Sequence, residues 1–260
     1  MIRVAPFALV IGGLIVVAAA AGFCFQIPAV VGLWPWPDSR LSYLFIGSIL
    51  AAVSAAMLWI GLSAELGALP AGSLNVFVIA IGAGAFFLEQ GIVAGRSNLL
   101  PFGFVCVLFM LASGAAFTWS RRIPLRDGRP APRLIQLSFG LFVIALLAAG
   151  TALIFRLSIF PWPLNPDSSV VFGCIFLGDA CYFAYGLLAP RWHNAKGQLL
   201  SFLSYDLVLI GPFLGLLGTI KSEFMRSLVA YLAVLIYSAA IAAYFLFVHS
   251  STRAWQAPSS

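Results

Sequence analysis

Charge is what this sequence has least of. Of 260 residues, 14 are Lys or Arg, 8 are Asp or Glu and 2 are His, so charged side chains make up 8% of the chain. A soluble domain carries nearer ~25%. The chain therefore has too little charge to cover a water-facing surface. The basic residues are spread over helix ends and connections rather than gathered on one stripe, so a net charge of +6 does not make a nucleic-acid surface. Catalytic signatures are missing as well: no glycine-rich phosphate loop, no nucleophile elbow, and no Asp and His set at catalytic spacing. The 4 cysteines, Cys24, Cys106, Cys174 and Cys181, lack zinc-ligand spacing. They sit in or at the ends of apolar runs, where a thiol packs as a small hydrophobe. Cys24, Cys106 and Cys174 fall toward one predicted face, which leaves room for one disulfide. His193 falls in a predicted loop over 191–198 and His249 ends the last helix, so neither suits a haem within the membrane. No cofactor and no metal site is expected.

Hydrophobic residues make up 62% of the chain and are gathered in eight long runs, at 5–25, 42–64, 72–89, 100–119, 134–155, 168–190, 199–218 and 226–249. About 20 residues at 1.5 Å rise per residue cross a hydrocarbon core of roughly 30 Å. Backbone groups in lipid must bond within their own segment, and these runs do not alternate as barrel strands do, so each is predicted to be a helix. Placing both termini in the cytoplasm puts Arg3, Arg121, Arg122, Arg126, Arg129, Arg133, Arg191, Lys196 and Arg253 inside. Arg40, Arg96, Arg156, Lys221 and Arg226 fall outside. The positive-inside rule favours that orientation. The expectation is an all-α integral membrane protein of the bacterial cytoplasmic membrane, in contact with the lipid bilayer and with no nucleic-acid partner.

"LWPWPDSR" at 33–40 and "FPWPLNPD" at 160–167 share a register of 126 residues. Pro35, Trp36 and Pro37 fall on Pro161, Trp162 and Pro163 without a gap. The same offset then carries Ser42 onto Ser168, Gly47 onto Gly173, Leu62 onto Leu188, and Phe87 onto Phe213. A constant offset through three runs reads as a duplication, and it makes the first run a retained helix rather than a signal peptide. Four crossings per copy give both copies one orientation, so the expected architecture is two parallel four-helix repeats. The first repeat spans 1–119 and the second 134–260, with a basic Pro- and Gly-containing cytoplasmic linker over 120–133. Proline on both sides keeps each tryptophan out of a helix. The expected role is an interfacial turn with an aromatic anchor at headgroup depth, capped by Asp38 with Ser39 and by Asp167 with Ser168. The alternative is a ligand-gathering pair at one mouth.

The tryptophan with its prolines, followed by Gly eleven residues later, resembles a group of bacterial multi-pass membrane proteins without an assigned activity. Their pattern runs Trp-Pro-Leu-Thr-Pro-Leu, two variable residues, Arg, and Gly three beyond. Here Asp38 and Arg40 replace the first Leu and second Pro of the first copy, Asp167 replaces the second Leu of the other, and Leu44 and Val170 stand at the Arg positions. The resemblance implies a membrane fold and no particular chemistry.

Two acids carry the functional expectation. Asp179 lies near the centre of the 168–190 run and Asp206 at a similar depth in the next, while their counterparts 126 residues earlier are Val53 and Ala80. A membrane-centre aspartate costs about 2.5–3.5 kcal/mol on insertion scales, so it faces the bundle interior. No Lys or Arg lies at comparable depth, which suits proton or cation handling. The opposing reading has each acid tied off by Tyr182, Tyr185, Tyr205 or Ser204. Pro212 is expected to kink its helix and free the carbonyl of Val208. Small residues at helix spacing, among them Gly211, Gly215 and Gly218, and Cys174 with Gly178, are expected to be close-packing faces. Glu65 and Glu89 are expected to be solvated. The sequence thus points to a small-solute, proton or cation transporter or channel with its path between the repeats. The alternative is a non-catalytic subunit or scaffold packed against other membrane subunits or further copies of itself. An intramembrane enzyme ranks third.

Overall fold

The computed structural model describes residues 4–253; Arg3 and the end of the C-terminal tail lie outside the described residues. Eight long helices form: α1 (Ala5–Cys24), α2 (Arg40–Ser63), α3 (Leu69–Ile92), α4 (Leu100–Ser120), α5 (Arg133–Ile154), α6 (Pro166–Leu188), α7 (Trp192–Leu216) and α8 (Ser222–Ala243). One π-helical turn, Tyr244–Val248, prolongs the last of them. All eight are long and apolar enough to cross a membrane. Among the described residues there is no strand, only an isolated bridge between Pro130 and Arg191. Phe104, Leu108 and Leu111 of α4, and Leu137, Leu141 and Ile144 of α5, stand exposed. Exposed apolar faces of that kind are stable against lipid and not against water. The chain has the build of an all-helical multi-pass membrane protein.

The helix ends follow from local chemistry. Proline opens α1, α3, α4 and α6 in the first turn, where its missing N–H costs no helical bond. Ser39 caps α2 by accepting a hydrogen bond from the Ser42 N–H at 3.2 Å, as expected. At the equivalent place Asn165, not Asp167 or Ser168, caps α6 and accepts from the Asp167 N–H at 2.9 Å. Asp167 is taken up elsewhere: it pairs with Arg96 at 2.6 Å and Arg156 at 3.6 Å, tying the α3–α4 and α5–α6 connections together. The α7 helix starts at Trp192, so the polar stretch expected as a loop is helical. It stays so because His193, Asn194 and Gln198 are buried against other segments instead of needing water.

Close backbone packing runs along two rows of helices. One row is α1, α2, α7 and α8, and the other is α4, α3, α6 and α5. Long side chains span the space between the rows, with Phe45 of α2 on Phe176 of α6 and Phe142 of α5 on Phe202 of α7. Each row takes two helices from each half of the chain, so the halves are interleaved and do not stand side by side as separate bundles. Exchanging α1 with α5, α2 with α6, α3 with α7 and α4 with α8 turns one row into the other.

Glycine sets the closest contacts within a row. A Cβ on Gly173 would lie 2.7 Å from the Gly150 carbonyl oxygen and 2.9 Å from the Ile154 nitrogen of α5. One on Gly47 would lie 3.0 Å from the Ala20 carbonyl oxygen of α1. These are the glycines that follow the two Pro-Trp-Pro segments, and their role is to let backbones touch. The Cys174 and Gly178 face works as expected, against Gly82 and Asn75 of α3. Gly211, Gly215 and Gly218 do not: nothing lies within 4 Å of a Cβ built on any of them, so they form no seam within this chain. The four cysteines are free thiols, and the disulfide that the sequence left room for is not formed.

The Pro-Trp-Pro segments are irregular, as proline on both sides requires, yet their tryptophans do not face lipid. Trp36 is 7% exposed and Trp162 3%, and each ring packs on the phenylalanine of its own half's third helix, Phe87 at 5.6 Å and Phe213 at 5.7 Å. The interfacial anchor is corrected to an internal clamp. The indole N–H of Trp162 donates to Ser42 Oγ at 3.0 Å and that of Trp34 donates to Ser168 Oγ at 3.2 Å. Each half thus holds the second helix of the other. The match is not perfect, because Trp34 takes the serine that Trp36 would need, and the Trp36 N–H is left without a partner.

Gly173→Ala is expected to destabilise the detergent-solubilised protein by about 1–3 kcal/mol through overpacking, whereas Gly211→Ala is expected to stay within about 0.5 kcal/mol. Thermal unfolding of both variants checks the contrast; equal losses would mean that α5 and α6 do not approach as described.

Candidate functional site

One cavity of about 810 Å³ occupies the space between the rows and is lined by residues from all eight helices. Asp179 of α6 and Asp206 of α7 both line it. They come from facing rows and do not share a hydrogen bond. Asn75 of α3 donates its amide to Asp179 Oδ1 at 2.7 Å, and Ser238 of α8 donates its hydroxyl to Asp206 Oδ2 at 2.6 Å. Asp206 is 0% exposed, and its Oδ1 has no hydrogen-bond partner. Asp179 is half-buried.

The locks of the opposing reading do not form among the described residues, because the donors come from other helices. Tyr182 lines the cavity but pairs with Ser201 at 3.3 Å. Tyr205 lines it and pairs through its hydroxyl with Tyr231 of α8. Tyr185 packs on Phe117 of α4, and Ser204 bonds back to the Leu200 carbonyl at 3.0 Å. Pro212 lies inside α7, four residues before its end, and is not among the residues that line the cavity. Of the Pro-Trp-Pro segments, only Pro161 reaches the cavity wall, next to Phe160. Asn75 and Ser238 are the partners of the two acids that the sequence reading missed. The signal was available for Asn75, an amide alone in an apolar run, which in lipid calls for a partner. A serine such as Ser238 can satisfy itself on its own helix, and it does also bond the Leu235 carbonyl at 3.1 Å, so nothing local marks it.

A second polar cluster lies at the end of the molecule that holds the linker. Glu65 joins α2 to α3 and was expected in water, but it is 5% exposed. Its carboxylate contacts the His193 ring and pairs with Arg126 at 3.3 Å. His193, expected in a solvated loop, is equally buried. The linker closes over them. Asp127 accepts from Arg129 at 2.6 Å, Arg129 donates to the Ser251 carbonyl at 2.6 Å, and the Trp192 N–H donates to the Arg129 carbonyl at 2.8 Å. Burial pushes the Glu65 carboxyl above its usual range, and Arg126 pulls against that shift. The Arg129 hydrogen bonds hold Asp127 below the usual range. No group of three or more His, Cys, Asp or Glu side chains that could hold a metal occurs among the described residues. The cluster is a clamp that ties the linker to α2, α7 and the C-terminal segment.

Because the folded state lowers the Asp127 pKa, its contribution to stability is complete above the ordinary value of 3.8 and is lost as pH falls through the lowered one. Asp127→Asn is therefore expected to lower stability at neutral pH and to flatten its decline under acid, as read from melting temperatures between pH 3 and 7; an unchanged acid limb would remove Asp127 from the clamp. No family model, no curated protein and no solved structure matches the chain.

Proposed function

We propose that the protein is a small-solute transporter whose path is the cavity between the two rows, with Asp179 and Asp206 as the coupling acids. The observation that carries this reading is the single cavity that holds both acids, each fixed by a donor from a different helix. A buried carboxyl kept only to tie helices together would have its acceptors satisfied, and Asp206 Oδ1 is not satisfied. The lining runs along most of the bundle's length, from Arg226 near the start of α8 to Asn194 near the start of α7, which begin at opposite ends. A path of that extent suits alternating access better than a closed ligand pocket.

Duplication supports the same reading. The row exchange, the paired N-caps at Ser39 and Asn165, and the paired Trp–Phe contacts all follow the 126-residue offset. On this account the chain is two parallel repeats in a bacterial cytoplasmic membrane, with the linker end in the cytoplasm, where Arg121 and Arg122 meet anionic headgroups. The resemblance to bacterial multi-pass proteins with a Trp-Pro motif fits this placement. The second reading, a scaffold or homo-oligomer, is favoured by Gly211 and Gly215 on α7 and Gly218 just beyond it, which face open space and would accept another helix.

Reconstituted in proteoliposomes, the wild type is expected to couple solute movement to proton movement, and Asp179→Asn or Asp206→Asn to cut the coupled flux by at least about tenfold, or about 1.4 kcal/mol in barrier, without loss of fold. Unchanged flux in both variants would end the transport reading. A stoichiometric membrane partner recovered from mild detergent, with no flux by the protein alone, would favour the scaffold.

A further inference from the structure

We infer that the solute is an amphipathic organic cation, a protonated amine or quaternary onium ion, held between aromatic rings and Asp206. This rests on the reading of the cavity as a transport path. Four observations define the ligand's chemistry. The volume, about 810 Å³, matches cavities that take drug-sized molecules and is far more than a proton or a bare metal ion fills. The walls are largely carbon, and seven rings line them: Phe142, Phe160, Phe176, Tyr182, Phe202, Tyr205 and Tyr231. Aromatic faces attract cations and repel anions.

The third observation is the sign of what lacks a partner. Asp206, Asn75 and Asn194 belong to the cavity wall, and the Oδ1 of each is a buried acceptor without a hydrogen bond. A ligand that supplies N–H donors or positive charge completes them, and an anion would leave them worse off. A hard metal cation would need six or so oxygen ligands around one point, whereas these acids sit apart on separate donors. Fourth, the cavity reaches Leu9 of α1 and Ala112 and Ala116 of α4, which are the end helices of their rows and do not pack closely on one another. A lipophilic cation has access from the bilayer through that gap. Among the described residues, Arg226 is the one basic side chain on the cavity wall. It lies about 18 Å along α8 from Ser238, at 1.5 Å per residue, and so leaves the acids free to meet a cation from the α1 and α4 side. A carboxyl that gives up its proton as the cation arrives, and takes one back as it leaves, keeps the cavity's total charge unchanged, which is exchange of one cation for one proton.

Tetraphenylphosphonium is the probe, titrated calorimetrically into the full-length protein in detergent, with tetraphenylborate as a control of the same shape and opposite charge. Saturable phosphonium binding is expected, with no borate binding. Asp206→Asn should weaken it at least about tenfold at an unchanged melting temperature. Ala112→Trp, which leaves both acids in place and narrows the gap, should weaken it too. Lowering the pH should weaken it by proton competition, and sodium chloride should have no comparable effect. Equal binding of both phenyl ions, or binding indifferent to Asp206→Asn, would mean hydrophobic uptake only and overturn the inference. Absence of phosphonium binding alongside acid-dependent proton or sodium flux would overturn it while the transport reading stands. Phosphonium binding that depends on Asp206, without any acid-dependent flux, would uphold the cation site and overturn the transport reading instead.

Discussion

Gly178 brings α6 so close to α3 that a Cβ there would lie 2.9 Å from the Asn75 carbonyl oxygen, and the bond from Asn75 to Asp179 forms at the next residue. The rest of the structure depends on this contact. It joins α3 of the first half to α6 of the second, inside one row, and so commits the halves to interleave. Its counterpart in the other row is α2 on α7. Once these two central pairs exist, α1, α4, α5 and α8 have only the outer positions left, and the rows face each other through aromatic side chains. Long rings on facing helices hold the backbones apart and leave a space that no small residue could fill. The cavity is thus a consequence of how the rows meet.

The same contact explains why an aspartate is tolerated at that depth. Lipid offers no hydrogen bond, so a mid-membrane carboxyl must find its donor on another helix. Asn75 is that donor for Asp179, and Ser238 is for Asp206. Each acid is fixed at one oxygen. The first half, with Val53 and Ala80 at the equivalent positions, supplies walls and the Asn75 amide but no carboxyl. The two halves share their packing rules and divide the chemistry.

Features written along the chain were legible before the fold was seen. Helix number came from hydropathy, because every crossing needs its own apolar run. The extended backbone around Trp36 and Trp162 came from proline, and the acids from their depth. Pairings between distant residues were not legible. Glu65 and His193 each sit near the end of an apolar run, where water is the ordinary neighbour, and only the linker folding over them makes them a buried pair. An isolated tryptophan at a helix end reads as an anchor at headgroup depth, because that is where such a ring ordinarily belongs. The serines that accept the N–H groups of Trp162 and Trp34, Ser42 and Ser168, lie in the opposite halves. Gly211, Gly215 and Gly218 have the spacing of a packing face, but spacing gives no partner. In each case the local pattern fixed the residue's chemistry, and its neighbour was set by the interleaving of the rows.

The central claim is that Asp179 and Asp206 act together through one cavity, and a double-mutant cycle measures that directly. Proton-coupled flux would be compared in wild type, Asp179→Asn, Asp206→Asn and the double variant. Groups that act as a unit are strongly non-additive, so the double variant is predicted to be no slower than the more damaged single variant. If each substitution costs about tenfold and the two together about a hundredfold, the acids act independently, and the single shared cavity is not the functional site.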